Sequence, residues 1–299
     1  MQTEINTIPI VNIKQRLQDY RELMKPGITT MVVLTALAGF YLGSAGQLDL
    51  PLLIHTLIGT GLVAGGGGAL NNYLERDADA RMHRTKNRPL PAGRMSPNHV
   101  LIFGSLISLL GLIYLAVGVN GITTLLAGIS WISYVLIYTP LKRISPLATL
   151  VGAIPGALPP MGGWTAATGE IAFGGWILFT LLFMWQLPHF LSIAWLCKED
   201  YARGGFPMLT VLKDSKNLTG RQMMLYSAAL LVVSLVPAVT GMAGVVYLIG
   251  AFTAGIIFLA LNVLVARSST QLAARRVLWA SILYLPFVLI LLMVDKAVV

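Results

Sequence analysis

Asn71, Glu75 and Asp79 recur at intervals of four in the stretch N-N-Y-L-E-R-D-A-D-A-R, a spacing that turns residue type into chemistry. On a helix, at about 100° per residue, the three fall within roughly 80° of one another, with Asn72 at the margin and Asp77 turned away. Two carboxylates and an amide on one face suit Mg²⁺, a hard cation that keeps several waters and completes its shell with phosphate oxygens. The same spacing also serves an ordinary solvated helix end, with Glu75 and Asp79 paired to Arg76, Arg81 or His83. The next residues favour the first reading, because Arg81, Arg84, Lys86, Arg88 and Arg94 supply far more cation than two carboxylates need. Part of that excess is the signature of a cytoplasmic loop. The rest suits phosphate, with arginine as a bidentate fork and lysine as a mobile point charge.

Other polar groups stand at the ends of apolar runs. Tyr138, Lys142 and Arg143 in Y-T-P-L-K-R read either as an interfacial aromatic with two topogenic cations or as further phosphate contacts. In W-Q-L-P-H-F, His189 suits a haem-iron ligand or a donor to a substrate, or else a structural histidine satisfied by a carbonyl that Pro188 frees. Asp200, in K-E-D-Y, stands where a second metal ligand or a general base can meet the first cluster. His55, His83 and His99 are read as structural. Gly65 to Gly68 form no phosphate loop, since no Gly-Lys-Ser or Gly-Lys-Thr follows, and instead permit close helix contact. Pro155, Pro159 and Pro160, among four glycines, either open space near mid-membrane or serve close packing.

The elements that must position these groups follow from composition. In 299 residues, 56% are hydrophobic and only 11% charged, and the mean hydropathy is +0.75. These values exclude an ordinary soluble domain. A single cysteine, Cys197, excludes an intrachain disulfide and a cysteine-built zinc or iron–sulfur site. Nine runs are long enough to cross a bilayer as helices: about 28–44, 52–74, 100–119, 121–138, 145–164, 173–196, 223–242, 245–266 and 277–294. The predicted fold is all-α, a polytopic membrane protein with residues 1–27 as a cytoplasmic segment and 28–299 as a single nine-helix domain. All basic residues except Lys296 then fall on one side, with the amino terminus cytoplasmic and the carboxy terminus external. The pI of 9.8 therefore reflects topology and not binding of nucleic acid. The first 25 residues lack a signal or transit pattern, which predicts a bacterial cytoplasmic (inner) membrane.

Together these residues resemble the UbiA-type intramembrane prenyltransferase superfamily, and within it the branch that farnesylates protohaem. Asn71, Glu75 and Asp79 match its Asn-x-x-x-Asp-x-x-x-Asp pattern, and Tyr138 with Lys142 matches Tyr-x-x-x-Lys. R-T-K-N-R-P-L at 84–90, Y-T-P-L-K-R at 138–143, G-A-I-P-G-A-L-P-P at 152–160 and W-Q-L-P-H-F at 185–190 are similar to that branch, and the likeness runs from about Lys25 to the ninth span. Glu75 departs from the usual aspartate, and Gly204 stands where a second Asp-x-x-x-Asp would end, so Lys198 or Arg203 is expected to replace metal charge there.

The resemblance implies nine helices around a central cavity. It implies Mg²⁺ on Asn71, Glu75 and Asp79, farnesyl diphosphate and haem B as substrates, and transfer to a haem vinyl group with addition of water, for maturation of haem-copper terminal oxidases. Lys142 and Asp200 join the catalytic set. Arg84, Lys86, Arg88, Tyr138, Arg143, Trp185, His189 and Lys198 are the expected binding residues, with Tyr138 or Trp185 shielding an allylic cation. Expected partners are the lipid bilayer and a downstream haem A synthase. Two alternatives stay open. One is a quinone-precursor or chlorophyll-type acceptor. The other is a secondary transporter, which would place its ionisable groups near the midplane in paired repeats and not at one mouth.

Overall fold

The computed structural model describes residues 13–212 and 215–297, at 215 and 216 by backbone alone; residues 1–12 of the expected amino-terminal segment lie outside them. After a short helix α1 (Ile13–Leu23) come α2 (Pro26–Gly43), α3 (Leu50–Asp79), α4 (Pro97–Gly118) and α5 (Gly121–Ile132). A π-helical stretch, Ser133–Tyr138, and α6 (Thr139–Leu141) continue α5 without a break. The chain proceeds through α7 (Ala148–Thr168), α8 (Phe173–Leu196), the short α9 (Lys198–Gly204), α10 (Ser215–Val239), α11 (Val245–Ser268) and α12 (Gln271–Val294). Among the described residues there are no strands beyond one isolated bridge, Ala243 with Lys296.

Eight of these segments are long and apolar enough to cross a membrane. The ninth expected crossing, α7, has the length but is less apolar. It can be so because it packs between α2, α5 and α8 and does not have to satisfy lipid along its whole surface. The nine-helix expectation thus matches the architecture, and α3 runs further toward one face than the sequence boundaries placed it.

Local signals set the ends. Asp49, Ser96, Asn120 and Thr270 each accept a hydrogen bond from a backbone N–H in the first turn of the helix they precede, which satisfies donors the helix cannot. Pro155, Pro159 and Pro160 do not break α7. Pro159 has no N–H to offer the Pro155 carbonyl, and Ser130 Oγ donates to that oxygen instead at 3.0 Å. Gln186 Nε2 donates to Ala153 O at 2.7 Å. Ser130 of α5 therefore takes over the carbonyl that Pro159 leaves free, as helix breakers in a membrane require.

Because lipid tails are as apolar as leucine, burial alone does not draw helices together, and small residues that permit contact do more. A Cβ on Gly39 would lie 1.9 Å from Pro160 O, and one on Gly163 would lie 1.9 Å from Ala36 O, so α2 and α7 touch backbone to backbone. Within the Gly65 to Gly68 run, Gly66 faces Ser108 and Gly104 of α4, while Gly68 faces the Leu23 and Met24 carbonyls. The largest core cluster joins α8, α10, α11 and α12 and includes Leu178, Leu181, Leu230, Tyr247, Phe258 and Leu289. On the other side, α2, α3, α5 and α7 surround a cavity.

Candidate functional site

The cavity of about 500 Å³ opens at the end where α3 terminates. Its mouth is built on the polar face of α3, where Asn71, Glu75 and Asp79 are 2%, 3% and 0% exposed and all line the opening. Glu75 Oε1 meets Lys142 Nζ at 2.7 Å, and Asp79 Oδ2 meets an Arg88 Nη at 2.7 Å. These are not the partners Arg76, Arg81 and His83 that local spacing suggested. Asn71 donates to Thr139 Oγ1 at 2.9 Å and accepts from Lys25 Nζ.

Lys25 arrives from the amino-terminal segment. The turn after α1 lies against Gly68, and Asn72 Nδ2 holds the Leu23 carbonyl at 3.1 Å. Lys25 then adopts φ 50°, ψ 65°, directly before Pro26 opens α2, and its ammonium also approaches Tyr134 OH at 3.4 Å. Burial pulls the Lys25 ammonium down to about 7; Glu75 opposes the fall, and Arg88 and Lys142 add to it. Lys142 goes the other way: although burial works against its charge, the Glu75 carboxylate holds it above the ordinary lysine value.

Two loops close over the mouth. Thr85 Oγ1 donates to Asp79 O at 3.0 Å and Arg81 donates to Gly204 O at 2.9 Å, while Met82 packs with Phe206 and Met208. Asp200 joins these loops: it accepts from His83 N at 2.8 Å and from Arg203 at 2.7 Å. Those donors, Arg203 first, hold its carboxyl below the usual range. Arg84 reaches the cavity with its guanidinium 5.5 Å from the Tyr201 ring centre, and Lys142 sits 5.4 Å from that of Tyr138 and 4.9 Å from that of Phe206. Deeper in, the wall carries Trp131, Tyr134 and Phe190, and Tyr134 stacks on Tyr138 at 5.8 Å.

The fold thus brings together Asn71, Glu75, Asp79, Arg84, Arg88, Tyr138 and Lys142. It places the other expected residues elsewhere. Lys86, Arg143 and Lys198 are exposed and do not line the cavity; Arg143 donates to Leu74 O at 2.5 Å. Asp200 clasps the loops and is not a lining residue. Trp185 and His189 face α12, where Trp185 Nε1 donates to Ser281 O at 2.9 Å and His189 Nδ1 pairs with Ser281 Oγ at 2.7 Å. The inward face of α8 belongs to Phe190, Ile193 and Ala194, about 100° around the helix from His189.

Lys25, Tyr134 and Tyr201 were not foreseen as site residues. Tyr134 had a signal, since it precedes Tyr138 and Lys142 at the same interval of four. Lys25 had none beyond its place before Pro26.

The oxygen donors on α3 fit a hard cation. Asp79 Oδ1 is buried and has no hydrogen-bond partner among the described residues, a costly state that a cation would relieve. Lysine ammonium groups already touch Asn71 and Glu75, and the Arg88 guanidinium touches Asp79, so positive charge is at home against all three. Among the described residues no three His, Cys, Asp or Glu side chains converge. The ion would therefore depend on water and substrate oxygens for the rest of its shell.

Comparison with known proteins agrees with this geometry. The chain is 45% identical over 289 residues to the protoheme IX farnesyltransferase of Solibacter usitatus, covering 94% of this chain and 99% of that one. Its fold is similar to a structure of digeranylgeranylglyceryl phosphate synthase, with a TM-score of 0.80, 17% identity, and coverage of 94% and 98%. It is also similar to a UbiA homologue from Archaeoglobus fulgidus bound to GPP and Mg²⁺, with a TM-score of 0.69, 16% identity, and coverage of 92% and 99%. The sequence profile of the UbiA prenyltransferase family matches residues 32–288. That match spans all nine long helices at least in part and contains every α3 oxygen donor, so the chain belongs to the UbiA prenyltransferase family.

Proposed function

We propose that the protein transfers the farnesyl group of farnesyl diphosphate to a vinyl group of haem B, with addition of water, giving a hydroxyethylfarnesyl haem and diphosphate. The observation that carries the acceptor is the 45% identity along nearly the whole length of a relative named for that reaction. The buried, cation-rich mouth above an apolar cavity supports the donor.

Asn71, Glu75 and Asp79 hold Mg²⁺, which when bound neutralises diphosphate oxygens and makes them a better leaving group. Arg84, Arg88, Lys142 and Lys25 surround the same volume and take up the negative charge that grows as the bond from farnesyl C1 to oxygen breaks. Substrate binding requires Arg88 and Lys142 to exchange carboxylate contacts for phosphate contacts. The rings of Tyr134, Tyr138 and Trp131 line the cavity and stabilise the allylic cation by about 2 kcal/mol when water is excluded. Farnesyl C1 then bonds to one vinyl carbon of the haem, the oxygen of water adds to the other, and a proton leaves.

The mouth faces the cytoplasm of a bacterial inner membrane, with the carboxy terminus outside. The support is the crowding of basic residues at the mouth end, while Lys296 lies at the far end, bound to Tyr41 O at 2.9 Å. The product is a substrate for a haem A synthase.

The test is an assay of membranes with haem B and farnesyl diphosphate, with and without Mg²⁺, read by mass spectrometry of extracted haem. A Mg²⁺-dependent haem carrying farnesyl plus water is the expected product. Transfer to a quinone precursor instead would discard the acceptor and keep the site.

A further inference from the structure

We infer that the far end of the cavity, where its lining ends at Thr60 on α3, Thr123 on α5 and Gly162 on α7, sets the length of prenyl chain the protein accepts, with Gly162 as the determining position. The inference rests on the prenyl-transfer reading above. On α3 the lining residues run from Asp79 at the mouth back to Thr60 and stop there. On α5 they end at Thr123 and on α7 at Gly162.

Below that level the bundle is shut. Thr123 Oγ1 pairs with Thr165 Oγ1 at 2.9 Å, Asn120 Nδ2 donates to Thr165 O at 2.9 Å, and Gly163 lies against the Ala36 backbone. From Asn71 to Thr60 the helix rises about 17 Å. Three isoprene units, each of four carbon–carbon bonds, extend to about 15 Å. A farnesyl chain whose head lies at Asn71 to Asp79 therefore ends near the floor.

Gly162 is the place where that length can be changed without changing the fold. A Cβ added there meets nothing within 4 Å, whereas one on Gly163 would strike Ala36 O and one on Gly156 would strike Gln186 Oε1 at 2.3 Å. A side chain at 162 thus projects into the cavity and removes the space of the last isoprene unit. Small residues line the way down, including Ala64 and Gly67 on α3, Ala127 and Ser130 on α5, and Gly156 on α7. Val63, Leu126, Trp131 and Leu158 form the larger part of the wall above that floor.

The experiment compares wild type and Gly162→Leu with non-transferable thiolo analogues of geranyl, farnesyl and geranylgeranyl diphosphate. The readout is the Mg²⁺-dependent rise in melting temperature of the purified protein, which needs no acceptor. Wild type should be stabilised by the farnesyl analogue. Gly162→Leu should keep the response to the geranyl analogue and lose affinity for the farnesyl analogue by about 20-fold or more. Gly162→Ala, a smaller intrusion, should lose less and guards against a leucine variant that fails to fold. Equal loss for every analogue, or unchanged binding of the farnesyl analogue, overturns the inference. Product assays with haem B, run alongside, separate that failure from failure of the acceptor assignment.

Discussion

Two halves of one bundle are built from the same apolar helices and end up as opposites. Around α2, α3, α5 and α7 the interior is hollow, and its mouth holds two carboxylates against four cations, Lys25, Arg84, Arg88 and Lys142. Around α8, α10, α11 and α12 the interior is filled by the largest core cluster. Polar groups there serve helix contacts, as in Tyr247 OH donating to Ser234 O at 2.7 Å and His189 pairing with Ser281. The hollow half stays open because its helices touch through glycines at the edges, as at Gly39 and Gly163, and leave small side chains facing the centre. Charge collects where the cavity reaches water, since ionised groups deeper in the bilayer would be far more costly.

The sharpest way to break this contrast is Asp79→Ala. It removes the buried oxygen that lacks a partner and should reduce turnover by at least about 100-fold while the protein stays folded. Haem product from extracted membranes and a monodisperse chromatographic profile check both parts, and a variant that still turns over would remove Asp79 from the metal set. Next in size is Lys142→Met, which leaves Glu75 buried beside Lys25 alone and should cost about 3 kcal/mol of stability. Adding Glu75→Gln should restore stability but not activity. A double variant no more stable than Lys142→Met would show that the pair does not hold the mouth.

Gly39→Ala tests the seam. Its Cβ would strike Pro160 O, so thermal unfolding should show a loss of about 1–3 kcal/mol, and an unshifted melt would mean that α2 and α7 are free to part. The smallest effect belongs to the filled half. Ser281→Ala deprives His189 of its partner and should cost about 1 kcal/mol with turnover unchanged. Collapse of turnover there would return His189 to the site and erase the distinction between the halves.

Much of this was legible in residue order. Asn71, Glu75 and Asp79 share a face because helical periodicity is local, and all three line the mouth. Tyr138 and Lys142 follow for the same reason. The misplacements share one cause. Lys86, Arg143 and Lys198 belong to the same basic clusters as Arg84, Arg88 and Lys142, and only the docking of the loops separates those that turn inward. Trp185 and His189 sit on an apolar helix whose lipid, core and cavity faces are alike in composition. Lys25 joins the site through a turn that crosses α3 at Gly68, which meets the carbonyls of Leu23 and Met24, residues distant in sequence.

By itself the sequence determined the nine-helix ladder, the gathering of positive charge on one face, and the oxygen-bearing stripe of α3. Each follows from hydropathy summed along the chain or from the turn of a single helix. Only the tertiary structure decided which half is hollow, which cations meet Glu75 and Asp79, and how far the cavity runs before Thr123 and Gly162 close it. In a bilayer the lipid and the protein interior are equally apolar, so composition carries no mark of which face a helix turns inward, and that choice falls to packing.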